Sequence, residues 1–379
     1  MHKSRKFDTI QSDISKSVMK RGKHMSWEDN VRKVIPYVPG EQPKKKDIIK
    51  LNTNECPYPP APGVRKILEA YDVEALRRYP DPAASALTDC LAEYYHLDRD
   101  QVFVGVGSDD VLAMAFLTFF NSNQPILFPD ITYSFYDVWA ELFRIPYQCQ
   151  PLTEDFRICP QDYKKPNGGI IFPNPNAPTG VEESLEMIEE IVAANQDVVC
   201  IIDEAYIDFG AKSCLKLIDK YENLLVVQTF SKSRAMAGLR VGYAIGSKKL
   251  IRYLQDVKFS FNSYTMNSLT LAVGTEAVRD DAYFKEITGR IIRTRERSKR
   301  ELTSLGFRFE DSKSNFIFAT HETIPAKELF EALKEQDIYV RYWNKPRISN
   351  HLRISVGTDE EMDALFAFLR KYIKNRGER

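Results

Sequence analysis

Two predicted buried strands near the middle of the chain each end in side chains that can do amine chemistry. The apolar runs that predict these strands are Val198–Ile202 and Leu224–Val227. Asp203 and Tyr206 follow the first run, and Lys232 and Arg240 follow the second. In an open parallel α/β sheet the carboxyl ends of the strands form one edge, where ligands bind. We therefore expect these four side chains to meet at that edge.

The four residue types are complementary around a cofactor that carries an aldehyde. A lysine amine forms a Schiff base with an aldehyde once its pKa is low enough for the amine to be neutral. Pyridoxal phosphate needs such a lysine and an acid that keeps its ring nitrogen protonated, which Lys232 and Asp203 would supply. Tyr206 would hydrogen-bond the ring hydroxyl, and Arg240 would hold the phosphate. A lone lysine or aspartate after a strand is usually a surface or turn residue, so only the ordered set predicts this chemistry.

The stretch Ser231–Gly242 resembles the lysine motif of the fold-type I pyridoxal-phosphate-dependent aminotransferases, and most of all that of the histidinol-phosphate aminotransferase family. The resemblance covers roughly residues 26 to 375. It implies pyridoxal 5'-phosphate as the cofactor and Lys232, Asp203 and Tyr206 as catalytic residues. It also implies that the amino group of L-histidinol phosphate passes to 2-oxoglutarate, giving imidazole-acetol phosphate and L-glutamate in histidine biosynthesis. The partners would thus be small molecules.

The order of predicted elements indicates an α/β fold. Strands and helices alternate from about residue 65 to 260, which predicts a large α/β/α domain with a mostly parallel sheet. Ser26 and the apolar spacing after it predict a short helix as far as Ile35. The predicted division is a disordered or extra N-terminal extension at 1–24, an arm that packs with the small domain at 25–64, the large cofactor-binding domain at 65–270 and a small α/β domain at 271–379.

The predicted phosphate site follows from helix chemistry together with the resemblance. A glycine turn leads into a helix predicted from Ser108, whose first N–H groups would bind an anion beside Ser108 and Asp109. Asp109 would otherwise be an ordinary first-turn acid that stabilises the helix. The resemblance adds Ser231 to the cofactor site and places Tyr133 on the face of the ring. It places Tyr79 at the cofactor phosphate of a second subunit, which requires a homodimer.

The turn that ends at Gly180 departs from the family pattern. The family has two consecutive asparagines before Pro-Thr-Gly, and the second asparagine hydrogen-bonds the ring hydroxyl. Here Asn176 is followed by Ala177. Two interpretations stay open: either Asn176 reaches the ring through a local shift, or Tyr206 makes the contact alone. We assign Asn176 to the cofactor site as the prediction.

Two arginines and one asparagine are the predicted substrate-binding residues. Arg341 and Arg353 lie on short predicted strands, and a guanidinium binds phosphate or carboxylate through paired hydrogen bonds. In the family both arginines hold the substrate phosphate, and a loop that corresponds to the one at Asn54 closes over the substrate. An arginine of a strand-edge ion pair is the alternative interpretation, above all for Arg341. Threonine-phosphate decarboxylase and aromatic amino acid aminotransferases share the fold and cofactor, so these activities remain alternatives.

The composition argues against several other classes of protein. The 379 residues include 53 Lys+Arg and 53 Asp+Glu, so net charge favours neither nucleic acid nor an anionic membrane. The six cysteines form no CxxC pair and the five histidines have no metal spacing, so we expect no metal and a cytoplasmic location. No apolar run is long enough to span a membrane. The run before Asp203 resembles a Walker B element, but the chain lacks the P-loop of an ATPase.

Overall fold

The computed structural model describes residues 26–45 and 47–377. The extension predicted at 1–24 lies outside the described residues. Residues up to Pro36 belong to a unit of their own, in which Ser26 caps a 3₁₀ turn at Trp27–Asn30. The longer helix predicted up to Ile35 is wrong. The turn buries no residue, and the backbone becomes extended at Val31, so no packing supports a longer helix.

The unit that begins at Tyr37 contains two β-sheets. Its strands are β1 (Ile49–Leu51), β2 (Val102–Gly105), β3 (Ile126–Pro129), β4 (Tyr147–Gln150), β5 (Ile170–Pro173), β6 (Cys200–Asp203), β7 (Leu224–Thr229), β8 (Gly242–Gly246), β9 (Phe307–Phe309), β10 (Phe316–His321), β11 (Ile338–Tyr342) and β12 (Leu352–Ser355). The larger sheet has the order β2-β8-β7-β6-β5-β3-β4 and is parallel apart from β8. The smaller sheet has the order β1-β11-β12-β10-β9, and only its β1–β11 pair is parallel.

Helices surround both sheets. The α-helices are α1 (Pro62–Glu69), α2 (Ser85–Tyr95), α3 (Gly107–Phe119), α4 (Tyr136–Phe143), α5 (Leu185–Ala194), α6 (Lys248–Phe261), α7 (Ser268–Arg279), α8 (Asp281–Ser304), α9 (Ala326–Glu335) and α10 (Asp359–Gly377). Further 3₁₀ turns lie at Val73–Arg77, Arg99–Gln101, Pro160–Tyr163, Ile207–Phe209, Cys214–Leu217 and Ala237–Leu239. In the described part of the chain, no helix combines the length and the apolarity that crossing a membrane would take.

The larger sheet is buried on both faces, as its continuous apolar strands predict. In β6, Cys200 and Ile202 belong to one hydrophobic cluster with α2, α5 and α7, while Ile201 belongs to another with α3, α4 and α6. The predicted α/β/α layering with a mostly parallel sheet is confirmed. A third cluster, between the smaller sheet and helices α9 and α10, forms a separate core.

The predicted arm contributes a strand to the smaller sheet, and the predicted domain boundary falls within a helix. Strand β1 lies in the stretch predicted as the arm, and it pairs with β11 of the smaller sheet. The boundary predicted at residue 270 falls inside α7, and this helix contributes Leu271 and Val273 to the core of the larger sheet. We therefore propose that the division lies at Asp280, between α7 and α8.

A buried arginine of α8 joins a segment next to the larger sheet to a segment next to the smaller sheet. Arg295 is only 2% exposed, and its Nη1 donates to the carbonyl oxygens of Phe209 at 2.7 Å and of Ser314 at 2.9 Å. Phe209 follows β6 of the larger sheet, and Ser314 precedes β10 of the smaller one. Because a buried guanidinium must keep its hydrogen bonds, this side chain fixes the distance between the two segments.

Replacing Arg295→Met should therefore destabilise the protein by about 3 kcal/mol, since two buried carbonyl groups lose a charged donor. Urea denaturation followed by circular dichroism would measure the loss. Arg293→Met, at an exposed position of the same helix, is the matched control and should change the free energy of unfolding by less than about 0.5 kcal/mol. Equal losses in the two variants would contradict this role of Arg295.

Candidate active site

Several chain segments meet at the carboxyl edge of the larger sheet. The register pairs Pro173, the last residue of β5, with Asp203, the last residue of β6, and it pairs Asp203 with Val227 of β7, which continues to Thr229. The loops that follow them, together with the start of α3, line a cavity of about 180 Å³, here named the inner cavity. The predicted site residues on its wall are Ser108, Asp109, Tyr133, Asp203, Tyr206, Ser231, Lys232 and Arg240. The structure thus brings together eight residues that the sequence separates widely.

One wall of the inner cavity carries a buried acid. The hydroxyl of Tyr136 donates to Oδ2 of Asp203 at 2.9 Å, and the N–H of Ala205 donates to Oδ1 at 3.2 Å. Burial still raises the pKa of Asp203 to about 6, because these bonds only partly replace water around the charged form. Asp203 makes no salt bridge with any described residue. A cationic group in the cavity would stabilise its carboxylate, as a protonated ring nitrogen does.

A second part of the wall is suited to an anion. Arg240 donates from Nη2 to Oδ2 of Asp109 at 2.9 Å and from Nη1 to Oγ of Ser231 at 3.4 Å. Gly107 opens α3 at φ +81°, and a Cβ atom there would lie 2.6 Å from the Arg240 guanidinium. Glycine therefore allows the first turn of α3, with Ser108, to pack directly against this arginine. Free N–H groups of a helix start beside a guanidinium form a phosphate site.

Lys232 lies between the inner cavity and a larger one of about 370 Å³, here named the outer cavity. Its Nζ donates to the carbonyl oxygen of Thr53 at 3.2 Å and lies 5.7 Å from the centre of the Tyr206 ring. The outer cavity is lined by Tyr37, Asn52, Thr53, Asn54, Tyr133, Tyr206, Lys232, Arg341, Trp343, Arg347 and Arg353, among others. An amine at this junction can reach groups bound in either cavity.

The turn that ends at Gly180 presents Ala177, and not Asn176, to the cavities. Ala177 lines both of them. The Asn176 amide instead donates to the carbonyl oxygen of Ile131 and to Oγ1 of Thr179, each at 3.0 Å. We therefore propose that Asn176 does not reach the ring, because its Nδ2 is engaged by Ile131 and Thr179 and the residue lines neither cavity.

The two predicted substrate arginines face one another. Arg341 of β11 pairs with Arg353 of β12, and both line the outer cavity. Both stack on the ring of Trp343, at 5.2 and 5.1 Å, and neither forms a salt bridge with a described residue. Nη2 of Arg353 donates to the carbonyl of Asn52 at 2.9 Å, while its buried Nε has no partner among the described residues. Like charges directly across a sheet destabilise it, so this pair is suited to a bound phosphate or carboxylate.

The last two predicted site residues lie in different places. Asn54 lines the outer cavity and also donates a hydrogen bond to Tyr206. Tyr79 lines neither cavity of its own chain: it is 82% exposed and stacks on Tyr264 with ring centres 4.7 Å apart. This position suits a tyrosine that serves another subunit and does not suit one that packs inside its own.

Three side chains of the site were not predicted. Tyr37 and Trp343 line the outer cavity, and Tyr136, which lines neither cavity, donates to Asp203. Trp343 follows Arg341 by two positions, and this spacing was a signal that could have identified it. Tyr136 is fully buried and contacts Asp203 from a distant part of the chain, so no local pattern marks it. Tyr37 lies in a loop without a pattern of its own, and nothing in the sequence marks it. Across residues 26–45 and 47–377, no three His, Cys, Asp or Glu residues are grouped as a metal site requires.

The comparisons with known proteins agree with this geometry. Residues 46–369 match the family described as Aminotransferase class I and II. A histidinol-phosphate aminotransferase of Lactococcus lactis subsp. cremoris is 53% identical over 93% of this chain and 99% of that protein. One of Clostridium beijerinckii is 51% identical over 92% of this chain and 98% of that protein. The crystal structure of the Sinorhizobium meliloti histidinol-phosphate aminotransferase, a complex with pyridoxal-5'-phosphate, has a TM-score of 0.78 at 22% identity and covers 86% and 90% of the two chains.

The chain belongs to the class I and II aminotransferase family, and it is an enzyme of the aminotransferase type. The Sinorhizobium structure shows that its fold is that of this family as well. The predicted resemblance is confirmed on both counts.

In ligand-free protein, Asp203→Asn should stabilise the fold by an amount that grows with pH. The pKa of Asp203 is about 6 in the folded protein and has its lower, ordinary value in the unfolded chain, so the folded state binds the proton more tightly than the unfolded state does. The free energy of unfolding of the parent therefore falls as pH rises from the ordinary pKa to about 6. Asparagine does not titrate, so the difference between variant and parent should widen by about 2 kcal/mol from about pH 4 to about pH 7. Urea denaturation across that range measures the difference.

Asp155→Asn is the control for this titration. The hydrogen bond from Thr153 lowers the pKa of the exposed Asp155 carboxyl, so removing that charge should not stabilise the protein at any pH. A difference between Asp203→Asn and the parent that stays constant with pH would refute the prediction.

Proposed function

We propose that the protein is a pyridoxal-phosphate-dependent aminotransferase that passes the amino group of L-histidinol phosphate to 2-oxoglutarate. The products would be imidazole-acetol phosphate and L-glutamate, in histidine biosynthesis. Two kinds of observation support this proposal. Relatives that carry the name histidinol-phosphate aminotransferase share about half of the residues along nearly their whole length. The two cavities also supply the groups that such a reaction needs.

The inner cavity fits pyridoxal phosphate at each end of the molecule. Arg240, Ser231 and the first turn of α3 would hold the phosphate, and the buried Asp203 would pair with the ring nitrogen. Tyr206 would donate to the ring hydroxyl, and Tyr133 lies on the same wall for contact with the ring face. When bound, the cofactor supplies an aldehyde carbon that bonds amines and a protonated ring that takes up the electrons of a bond broken at the α-carbon.

Lys232 has two tasks in this proposal. Its amine would hold the cofactor through a bond to the aldehyde carbon, formed with loss of water, and the substrate amine would exchange with Nζ at that carbon. The freed Nζ would then serve as the general base that takes the proton from the substrate α-carbon and as the general acid that returns it to the cofactor. The carbonyl oxygen of Thr53, which accepts from Nζ at 3.2 Å, holds the amine at the junction of the two cavities.

The single observation that carries the substrate class is the pair Arg341 and Arg353. Two guanidinium groups meet across β11 and β12 in the outer cavity without a carboxylate partner in the described structure. A phosphate dianion would balance both charges and accept bidentate hydrogen bonds. The same pair would take a carboxylate of 2-oxoglutarate in the second half of the reaction. Because the geometry also accepts a phosphorylated amino acid, the substrate is decided by the experiment below.

We further propose a homodimer in which Tyr79 reaches the phosphate site of the partner. The stacked Tyr79 and Tyr264 rings lie at the surface, and Val73 and Leu76 of the same segment are 72% and 58% exposed. A group of exposed apolar side chains of this kind marks a protein interface. A cytoplasmic location also belongs to the proposal, and it is supported by the six cysteines, all of which are free thiols.

Adding L-histidinol phosphate without a keto acid to the cofactor-loaded enzyme should replace the absorbance of the lysine-bound cofactor with that of its amine form. The expected change follows because the amino group passes to the cofactor in the first half of the reaction. Lys232→Ala should show neither the starting absorbance nor turnover, since the bonding amine is absent. A conversion seen only with an aromatic amino acid, or carbon dioxide released from threonine phosphate, would replace histidinol phosphate as the substrate.

Subunit complementation tests the dimer. Lys232→Ala and Tyr79→Ala should each be strongly impaired alone, yet an equal mixture, unfolded and refolded together, should regain about a quarter of the parental activity. That fraction is expected because half of the dimers are mixed and each mixed dimer has one site with both residues intact. Mixing without refolding is the control. No recovery, with dimers present by light scattering, would place Tyr79 in its own subunit's site or outside both sites.

A further inference from the structure

We propose that Asn54 replaces the amide that is missing at Ala177: it acts through Tyr206 and is a positioning residue for the cofactor's ring hydroxyl. This inference rests on the proposed function. It gives Asn54 a task different from the substrate contact that the sequence predicted, and it resolves the two interpretations left open for the turn at Asn176.

The hydrogen bonds around Asn54 fix which end of its amide faces Tyr206. The backbone N–H of Asn54 donates to Oγ of Ser355 at 3.0 Å, and the Ser355 hydroxyl donates its own proton to Oδ1 of Asn54 at 2.9 Å. The Ser355 hydroxyl gives its one proton to Oδ1, which leaves Nδ2 as the end of the amide that faces Tyr206. Nδ2 donates to the hydroxyl oxygen of Tyr206 at 3.0 Å. Asn54 is 1% exposed, so water does not compete for these bonds.

The bond from Asn54 directs the proton of Tyr206 toward the inner cavity. The Tyr206 hydroxyl oxygen accepts from Asn54, and no described residue accepts a hydrogen bond from its O–H. Tyr206 lines the inner cavity, where the ring hydroxyl would lie. Because a hydroxyl that accepts one hydrogen bond becomes a better donor for the next, Asn54 strengthens the bond that Tyr206 would make to the ring oxygen.

The backbone at Asn54 supports a specialised position. Its φ is +56°, in the left-handed region that few side chains adopt and that asparagine tolerates. Asn315 holds this conformation from the other side, since its Nδ2 donates to the Asn54 carbonyl at 2.9 Å. Strain of this kind persists where surrounding contacts enforce it, and here the result is an amide aimed at Tyr206.

The test is the pH midpoint of the absorbance change of the bound cofactor, measured without substrate. That midpoint reports the proton shared between the ring oxygen and the Lys232 nitrogen. Donors to the ring oxygen stabilise its charged form and lower the midpoint. Asn54→Ala should therefore raise the midpoint by about half a pH unit, the effect of weakening one hydrogen bond. Asn54→Gly, which accepts a positive φ without strain, should do the same and excludes a backbone effect.

Two further variants show whether Asn54 acts through Tyr206. In a Tyr206→Phe background, Asn54→Ala should cause no further shift, because the bond it modulates is absent. Adding Ala177→Asn to Asn54→Ala should bring the midpoint back toward the parental value, since an amide then donates to the ring oxygen directly. Asn195→Ala is the matched control: its buried amide donates to the carbonyls of Tyr163 and Ile191 and it lines neither cavity, so the midpoint should not move.

Three results would overturn the proposal. The first is an unchanged midpoint in Asn54→Ala, and the second is an equal shift with and without the Tyr206 hydroxyl. The third is a midpoint that stays raised after Ala177→Asn is added, which would mean that the two amides do different tasks. The proposed function fails in a distinguishable way, because the parent protein would then lack the absorbance of a lysine-bound cofactor altogether.

Discussion

Parallel hydrogen bonding brings the carboxyl ends of β5, β6 and β7 to one edge of the larger sheet, and the site depends on that constraint. The end of each strand contributes a different kind of group. The turn after β5 carries Ala177, the end of β6 and the turn after it carry Asp203 and Tyr206, and the loop after β7 carries Lys232. Strand β8 runs the opposite way and so brings its start back to the same edge. A Cβ atom on Gly242, its first residue, would lie 2.2 Å from the backbone nitrogen of Ser108, so glycine is what lets this strand meet the start of α3.

The site holds charges that form no salt bridge with a described residue. Asp203 is buried in this way, and Arg341 and Arg353 repel each other across two strands. Each arrangement costs folding free energy, and each is stabilised by a ligand of the opposite charge. The substrate and cofactor should therefore also act as structural components, since ligands that bind the folded state shift the folding equilibrium toward it.

Much of the fold could be predicted because the strands of the larger sheet are short apolar runs between turn residues. The run at Val198–Ile202, for example, overlaps β6, and the helix predicted from Ser108 begins one residue earlier. The local helix at Ser26–Ile35 failed because a capping signal does not suffice where no apolar face is buried. Tyr136 and the Asn54–Tyr206 bond could not be predicted, because they join segments far apart in the chain and leave no local pattern.

The parallel pairing of β1 with β11 has a consequence for the order in which the protein is completed. It joins the first described strand to the last but one, and β1 runs directly into the segment whose carbonyl groups accept from Arg353 and Lys232. During synthesis the N-terminal arm therefore has no sheet to join until nearly the whole chain has left the ribosome. Contacts between such distant residues are costly to close and form late. The catalytic lysine should thus gain its final surroundings only after both sheets exist, which keeps a nascent chain from having an assembled site.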